Sequence, residues 1–561
     1  MSSMPESYVS GISSEPLIGM TIGKQLDKTV NKYPDHLAII SKKQNIKLTW
    51  AQFSDMVNVF AAGLIGLGLK PGERIGIWSP NNVEWAVVQF SAAKAGLILV
   101  NINPAYRLSE LKYALNKVDC SALVIADKFK STSYIEILYE LAPELEKSKV
   151  GNLKCSSLPS LKTVIRLGNG KFPGVLNYAE VSDYATPVSY SELEKLSSKL
   201  QFDDSINIQF TSGTTGYPKG ATLTHHGILN NAYFNGQALR LTENDRVCIP
   251  VPLYHCFGMV MGNLMCASYG ACMVYPGQGF DALDVLKVIE DEKCSILYGV
   301  PTMFIAILDH PAFKNYDLES LRSGTMAGSP CPIEVMKRVI NHMHMKDVTI
   351  AYGMTETSPV SFQSSHNDSV ERRVSTVGQV HPHVEVKVID EYGKIVKRGD
   401  SGELLTRGYS VMQGYWNDDE KTREVIDKNG WMHTGDMASI DSEGYGRIVG
   451  RIKDLVIRGG ENIYPREIED FLFSFDKIQD VQVIGVPDKK YGEELCAWVK
   501  LHQGKKTSST EIQNFCKGKI AHYKIPKYFE FVDSFPMTVT GKIQKFKMRE
   551  QMIEKLKLSK I

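Results

Sequence analysis

The sequence predicts an α/β protein: a large N-terminal domain of parallel sheets flanked by helices, a small β-rich subdomain within it, and a small α+β C-terminal domain. Three observations carry this expectation. Strand and helix patterns alternate over residues 74 to 126 and again over 283 to 361. From about residue 375 they give way to short strands and turns. A chain of 561 residues is also too long for one core.

The first alternation begins with RIGIWS, a short apolar strand, and NNVEWAVVQFSAAKAG, a helix of regular period ending at Gly96. LILVNINP follows as a buried strand, SELKYALNKV as a helix opened by Ser109, and ALVIA as a strand. Such order implies a parallel sheet covered on both faces. INIQF, at 206 to 210, is a further strand. In the second alternation SILYGVP, RSGTMAGSP and TIAYGMTE end their strands in small or polar residues. TVGQVHPHVEVKVIDEYGK, SGELLTRG and GYGRIVGRIKDLVI supply the β-rich subdomain. The domain boundary is expected at 451 to 454, giving domains 1–451 and 452–561. In the second, strands are expected near DVQVIGV and ELCAWVK and a helix in SSTEIQNFCKGKI.

Composition narrows the function classes. Lys+Arg (64) nearly balance Asp+Glu (63), which argues against a nucleic-acid partner. Ten cysteines without a Cys-x-x-Cys pair suit a reducing compartment. Val247 to Phe280 carries no Asp, Glu, Lys or Arg, yet prolines, glycines and His255 interrupt it, so buried strand, helix and strand are expected rather than a membrane span. The segment from Gly541 has seven Lys/Arg against two Glu and an amphipathic pattern, a solvated face with weak membrane-surface contact as the second reading. The Ser-rich start holds Glu6 and Glu15 and no arginine, unlike a transit peptide, while the final Ser559-Lys560-Ile561 comes close to a peroxisomal ending. His342, His344, His381 and His383 have no Cys or carboxylate to complete a metal set and read as surface residues.

The chemistry-bearing stretch is TSGTTGYPKG: Thr211, Ser212, Gly213, Thr214, Thr215, Gly216, Tyr217, Pro218, Lys219, Gly220. Glycines let backbone N–H groups turn toward an anion, hydroxyls add donors, and the lysine adds charge, which suits a polyphosphate. The Walker spacing is absent. The loop follows the 206 to 210 strand, and parallel sheets bind ligands beyond their carboxyl ends.

Four further segments follow in fixed order: YGMTE at 352, TGD at 434, GRIKDLVIRGGENIYP at 450 and GKIQKFK at 541. Together the five resemble the adenylate-forming, AMP-binding superfamily of acyl-CoA synthetases, luciferases and peptide-synthetase adenylation domains, over essentially the whole chain. PLYHCFG, PTMF and AGSP lean toward its medium-chain acyl-CoA synthetases. The resemblance implies that the 211 to 220 loop holds the β- and γ-phosphates of ATP. Tyr352 and Gly353 would meet the adenine, walled by Gly328, Ser329 and Pro330. Thr355 would bond the α-phosphate, Glu356 would hold Mg²⁺, Asp436 the ribose hydroxyls, and Arg451 would add a cation. Lys542 would be the catalytic lysine. A mobile C-terminal domain would turn about Lys453, bringing Gly459 and Gly460 to the coenzyme A tunnel. His255 would gate the acyl tunnel, with Met259, Val260, Leu264, Val300 and Met303 suiting an aliphatic tail.

The implied reaction joins a fatty acid to coenzyme A through an acyl-adenylate, with ATP, Mg²⁺ and coenzyme A. The alternatives are an aryl or hydroxycinnamate ligase, a luciferase-like enzyme, and an inactive nucleotide-binding scaffold. Mitochondria are the compartment the resemblance implies, against cytoplasm or peroxisome.

Overall fold

The computed structural model describes residues 5–211, 218–329, 331–538 and 543–558. An eight-stranded sheet is built around Cys120–Ala126, Arg74–Trp78, Ile98–Asn101 and Ser205–Thr211, all parallel. Lys219–Thr224 and Gly414–Tyr415 close one edge antiparallel, so the sheet is mixed rather than wholly parallel. A nine-stranded sheet has six parallel strands at its centre, among them Arg246–Cys248, Ile296–Gly299, Ser323–Ala327 and Asp347–Gly353. The central strands are apolar on both faces, as Leu123, Val124 and Ile125 illustrate, because helices cover both sides.

The helix Val83–Ala95 forms as its sequence dictates. Asn82 accepts a hydrogen bond from the Trp85 amide at the start, and Gly96 ends it at φ 69°. The helix Leu108–Lys117 starts one residue ahead of Ser109, which therefore lies inside it; the Glu110 carboxylate closes its first turn by accepting from the Arg107 amide. Between 247 and 280 the charge-free run is a strand end, a helical segment from Cys256 to Tyr269, and the strand Cys272–Tyr275. Met259–Leu264 within it is π-helical. No helix among the described residues is long and apolar enough to cross a membrane.

A third, antiparallel sheet contains Val384–Ile389, Gly402–Gly408, Met432–Ile440 and Gly446–Arg451. Its edge is Tyr8–Ser10 from the other end of the chain, which short-range patterns do not reveal. After Arg451 a short 3₁₀ turn, Ile452–Asp454, leads into a further sheet in which Ile478–Asp488 pairs with Gly492–Leu501. The basic helix Lys545–Lys555 lays Met548 and Met552 against Ile484, Val486 and Trp498, so its apolar face is used within the fold. Packing on one face and charge on the other explain its amphipathic pattern.

Candidate active site

Three sheets meet at one place. Thr211 ends a strand of the first sheet, Tyr352 and Gly353 end a strand of the second, and Asp436 and Arg451 face each other across adjacent strands of the third. Sequence positions 211, 352 and 436 are thus brought together only because the three sheets meet here.

Glu356 lies in the 3₁₀ turn Thr355–Thr357, directly beyond the Asp347–Gly353 strand, and is 9% exposed. Its Oε1 accepts the Thr211 hydroxyl at 3.1 Å and the Tyr415 hydroxyl at 3.0 Å. Its backbone carbonyl accepts from the Met412 amide at 2.9 Å. The carboxylate is therefore tied to both long sheets, and burial beside it pushes the Tyr415 phenol upward. Lys219 sits over the Tyr415 ring, 4.2 Å from its centre, next to where the 211 to 220 loop returns to the sheet. Tyr415 has no place in any of the five motifs, and nothing local in the chain marks it.

Tyr352 donates its hydroxyl to Asp436 Oδ2 at 2.6 Å, while Arg451 Nε lies 3.1 Å from Oδ1. Asp436 is 3% exposed. Burial raises its carboxyl above the usual range, and Arg451 and Tyr352 pull the other way. The Tyr352 phenol is pushed well up by burial and by that carboxylate. Its ring is only half-buried, which leaves surface for a flat ligand. Gly353 tolerates no side chain, since a Cβ there would stand 1.7 Å from the Pro359 carbonyl oxygen. Gly328, at φ 88°, and Ser329 are exposed after the Ser323–Ala327 strand.

A cavity of about 1090 Å³ opens at the carboxyl ends of the parallel strands, where Pro80, Pro104, Pro250 and Val300 each follow a strand and Ala126 ends one. Tyr254, Val300 and Met303 give it an apolar wall, and Thr538 reaches it from the C-terminal segment. It adjoins the first cluster through Val300, whose Cγ1 would touch a Cβ on Gly328 at 3.2 Å. Lys43, Lys128 and Lys130 bring positive charge to its rim. Asp284 and Asp127, also on the rim, are engaged by Lys43 at 2.8 Å and Arg166 at 2.6 Å.

Several sequence expectations change. Met259, Val260 and Leu264 are at most 1% exposed within the main core and do not line the cavity; Val300 and Met303 do. His255 is half-buried against Tyr254, ring centres 4.8 Å apart, with Tyr254 forming the cavity wall. His381 is 3% exposed and bonded through Nε2 to Gln363, which also accepts from Asn235 of the helix His225–Ala238, so it is a buried residue and not a surface one. No group of three metal-binding side chains occurs among the described residues. Lys453 is exposed between the third sheet and the C-terminal one, and Gly459 and Gly460 are exposed in the turn joining the paired strands Val456–Arg458 and Glu461–Ile463 of the latter, at φ 61° and 88°. Ser212, Gly213, Thr214, Thr215, Gly216, Pro330 and Lys542 lie outside the described residues.

Comparison with known proteins fits this geometry. The AMP-binding enzyme family matches residues 26–416, and the AMP-binding enzyme C-terminal domain matches residues 467–542. The chain belongs to the AMP-binding enzyme family. Within it, the chain is 50% identical over 555 residues to the mitochondrial medium-chain acyl-CoA ligase ACSF2 of Danio rerio, covering 98% of this chain and 91% of that protein. The human protein of the same name is 45% identical over 560 residues, with coverage of 98% and 91%. Among solved structures, the anthranilate CoA ligase AuaEII in complex with anthranoyl-AMP superimposes with a TM-score of 0.84 at 26% identity, covering 97% of this chain and 99% of that one. ATP-bound MatB from Rhodopseudomonas palustris gives 0.79 at 27% identity, with coverage of 95% and 99%.

Proposed function

We propose that the protein is an AMP-forming fatty acid–CoA ligase acting on medium-chain acids. The observation that carries this reading is the convergence of Thr211, Glu356, Tyr352 and Asp436 beside a cavity with an apolar wall. The relatives named medium-chain acyl-CoA ligase support the substrate class.

Tyr352 offers a ring face to adenine, opposite Gly328, Ser329 and Pro330. Asp436 is preset for the ribose, because an ionised carboxylate accepts two hydroxyls at once and Arg451 keeps it charged against the cost of burial. The 211 to 220 loop takes the β- and γ-phosphates, with Lys219 at its return, and Thr355 donates to the α-phosphate. Glu356 would hold Mg²⁺, since a buried carboxylate beside the phosphate-loop strand is the hard oxygen donor that this ion prefers; the ion would screen phosphate charge.

In the first half-reaction the acid's carboxylate oxygen attacks the α-phosphorus and pyrophosphate leaves. Lys542 meets the charge that builds on the phosphorus oxygens, a contribution of about 2.7 to 4 kcal/mol by analogy with one oxyanion-hole donor. Thr538, just upstream in the chain, lines the cavity, which supports delivery of the lysine there. In the second half-reaction the coenzyme A sulfur attacks the acyl carbon and AMP leaves. A turn of domain 452–561 about Lys453 against domain 1–451 would withdraw the lysine and present Gly459 and Gly460 to the pantetheine arm. Lys128 and Lys130 on the cavity rim suit the phosphates of coenzyme A. Mitochondria are the compartment we propose, following the relatives' names.

The test is a panel of straight-chain and aromatic acids with ATP, Mg²⁺ and coenzyme A, reading AMP and acyl-CoA. The proposal expects the best turnover with medium-chain acids. Preference for aromatic acids would make it an aryl-CoA ligase, and ATP binding without AMP release from any acid would make it a scaffold.

A further inference from the structure

The cavity wall at Tyr254 is held by a buried set of side-chain amides that none of the motifs contains. Asn101, at the end of the Ile98–Asn101 strand, and Gln209, its register partner on the Ser205–Thr211 strand, are each 2% exposed. Asn101 Nδ2 donates to the Tyr254 carbonyl oxygen at 2.9 Å. Gln209 Oε1 accepts from the Cys256 amide at 3.1 Å. His255 is thus bracketed by two backbone groups fixed from the sheet below.

The amides also hold one another. Asn207 Nδ2 donates to Asn101 Oδ1, and Gln209 Nε2 donates to Asn207 Oδ1, both at 2.9 Å. Met259 Sδ, in the π-helical turn, accepts from Asn101 and from Gln209 at 3.2 Å each. Three amides at most 2% exposed cost stability unless every polar atom is paired, and here the pairing is spent on one loop. Gln209 stands two residues before Thr211 on the same face of one strand, and Thr211 bonds Glu356. One rigid strand therefore carries both the support of the cavity wall and the start of the phosphate loop.

We propose that Gln209 and Asn101 are positioning residues that fix the Tyr254–Cys256 wall relative to the phosphate-loop strand, and thereby set which acids place their carboxylate in line with the nucleotide. This rests on the ligase reading above. Loss of the tie lets the wall shift while the nucleotide cluster stays intact, so acid selection changes and ATP binding does not.

The experiment compares the full-length parent with Gln209→Met, Gln209→Glu and Asn263→Leu, measuring kcat and KM for ATP and for acids of increasing chain length. Gln209→Met keeps the length of the side chain but removes its donors and acceptor. It is expected to raise KM for the best acid by about tenfold (a factor of ten in affinity), to alter the ranking of acids, and to leave KM for ATP within about twofold. Gln209→Glu, protonated when buried, can donate to Asn207 and accept from Cys256, and is expected to keep the parent's ranking. Asn263, four residues after Met259 in the π-helical turn, bonds Gln89 and Tyr275 rather than the sheet amides, so its variant is expected to lower the thermal midpoint without changing the ranking.

If Gln209→Met keeps the parent's ranking, or weakens ATP and acids alike, the proposal is overturned. If Gln209→Met fails to fold, Asn101→Leu, which removes the donor to the Tyr254 carbonyl and the acceptor for Asn207, carries the test; an altered ranking with KM for ATP unchanged supports the proposal, and a parental ranking overturns it. A parent that forms AMP from no acid fails the ligase reading instead, which is seen before any variant is made.

Discussion

The hydroxyl of Tyr352 and the carboxylate of Asp436 meet at 2.6 Å, joining the end of a strand in the nine-stranded sheet to the middle of one in the antiparallel sheet. This bond holds the carboxylate in place before any ribose arrives. In Tyr352→Phe the ring remains and the bond is lost. A hydrogen bond to a charged group is worth about 1.5 to 3 kcal/mol, so KM for ATP is expected to rise by roughly tenfold or more. Because Tyr352 helps to lower the Asp436 carboxyl against burial, its removal leaves that carboxyl higher still. The acid limb of the ATP-binding profile is then expected to move to higher pH, as fluorescence titration across pH would read.

Glu356 ties the two long sheets through Thr211 and Tyr415. Glu356→Gln keeps the shape and both hydroxyl contacts but removes the charge. Pyrophosphate release is expected to fall by about a hundredfold, as for one lost electrostatic contact, with an unchanged thermal midpoint. A large fall in that midpoint would make the residue structural.

How much of this was legible in the sequence depends on how local the cause was. The Val83–Ala95 helix carries its own cap and stop, Asn82 and Gly96, and its pattern alone finds it. The parallel strands were visible as short apolar runs because both their faces are buried. The strand Tyr8–Ser10 was hidden, since its partner lies more than 370 residues away, at Glu385 to Lys387. The motif residues stood out through glycines and hydroxyls in unusual density, whereas Tyr415, Asn101 and Gln209 are ordinary residues whose roles arise only from three-dimensional convergence. His381 was misread for the same reason, for nothing beside it in the chain shows that it is buried.

His225 and His381 are both buried, and burial pushes each down to about 3. Each is neutral in the fold yet takes a proton near pH 6.5 when unfolded. The unfolded state therefore binds more protons below that pH, and stability falls as the pH drops from about 6.5 toward 3. Asp480, whose carboxyl burial raises to about 6, works in the opposite direction between 6 and its ordinary value. Replacing one histidine isolates its share. In urea unfolding from pH 7.5 to 4.5, His381→Gln is expected to lose less stability than the parent; parallel curves would exclude the histidine.

Arg373 is 5% exposed, and its guanidinium donates to the backbone carbonyls of Lys346, His366, Val348 and Asp368 at 2.7 to 3.0 Å. Arg373→Ala leaves those acceptors without a donor beneath the Asp347–Gly353 strand that carries Tyr352. A loss of about 3 kcal/mol is expected in urea unfolding, in line with unsatisfied buried groups. Arg373→Lys reaches fewer of the four and is expected to fall between the two.

The central claim is that one site makes the acyl-adenylate and a separate step consumes it. The most direct measurement is a single-turnover assay with ATP, Mg²⁺ and a medium-chain acid, with and without coenzyme A, for the parent and Lys542→Ala. The account expects the parent to release pyrophosphate without coenzyme A and to form acyl-CoA when it is added. It expects the variant to lose at least about a hundredfold in the first step while still converting supplied acyl-adenylate to acyl-CoA. Pyrophosphate release unaffected by Lys542→Ala, or acyl-CoA formed without pyrophosphate, would contradict it.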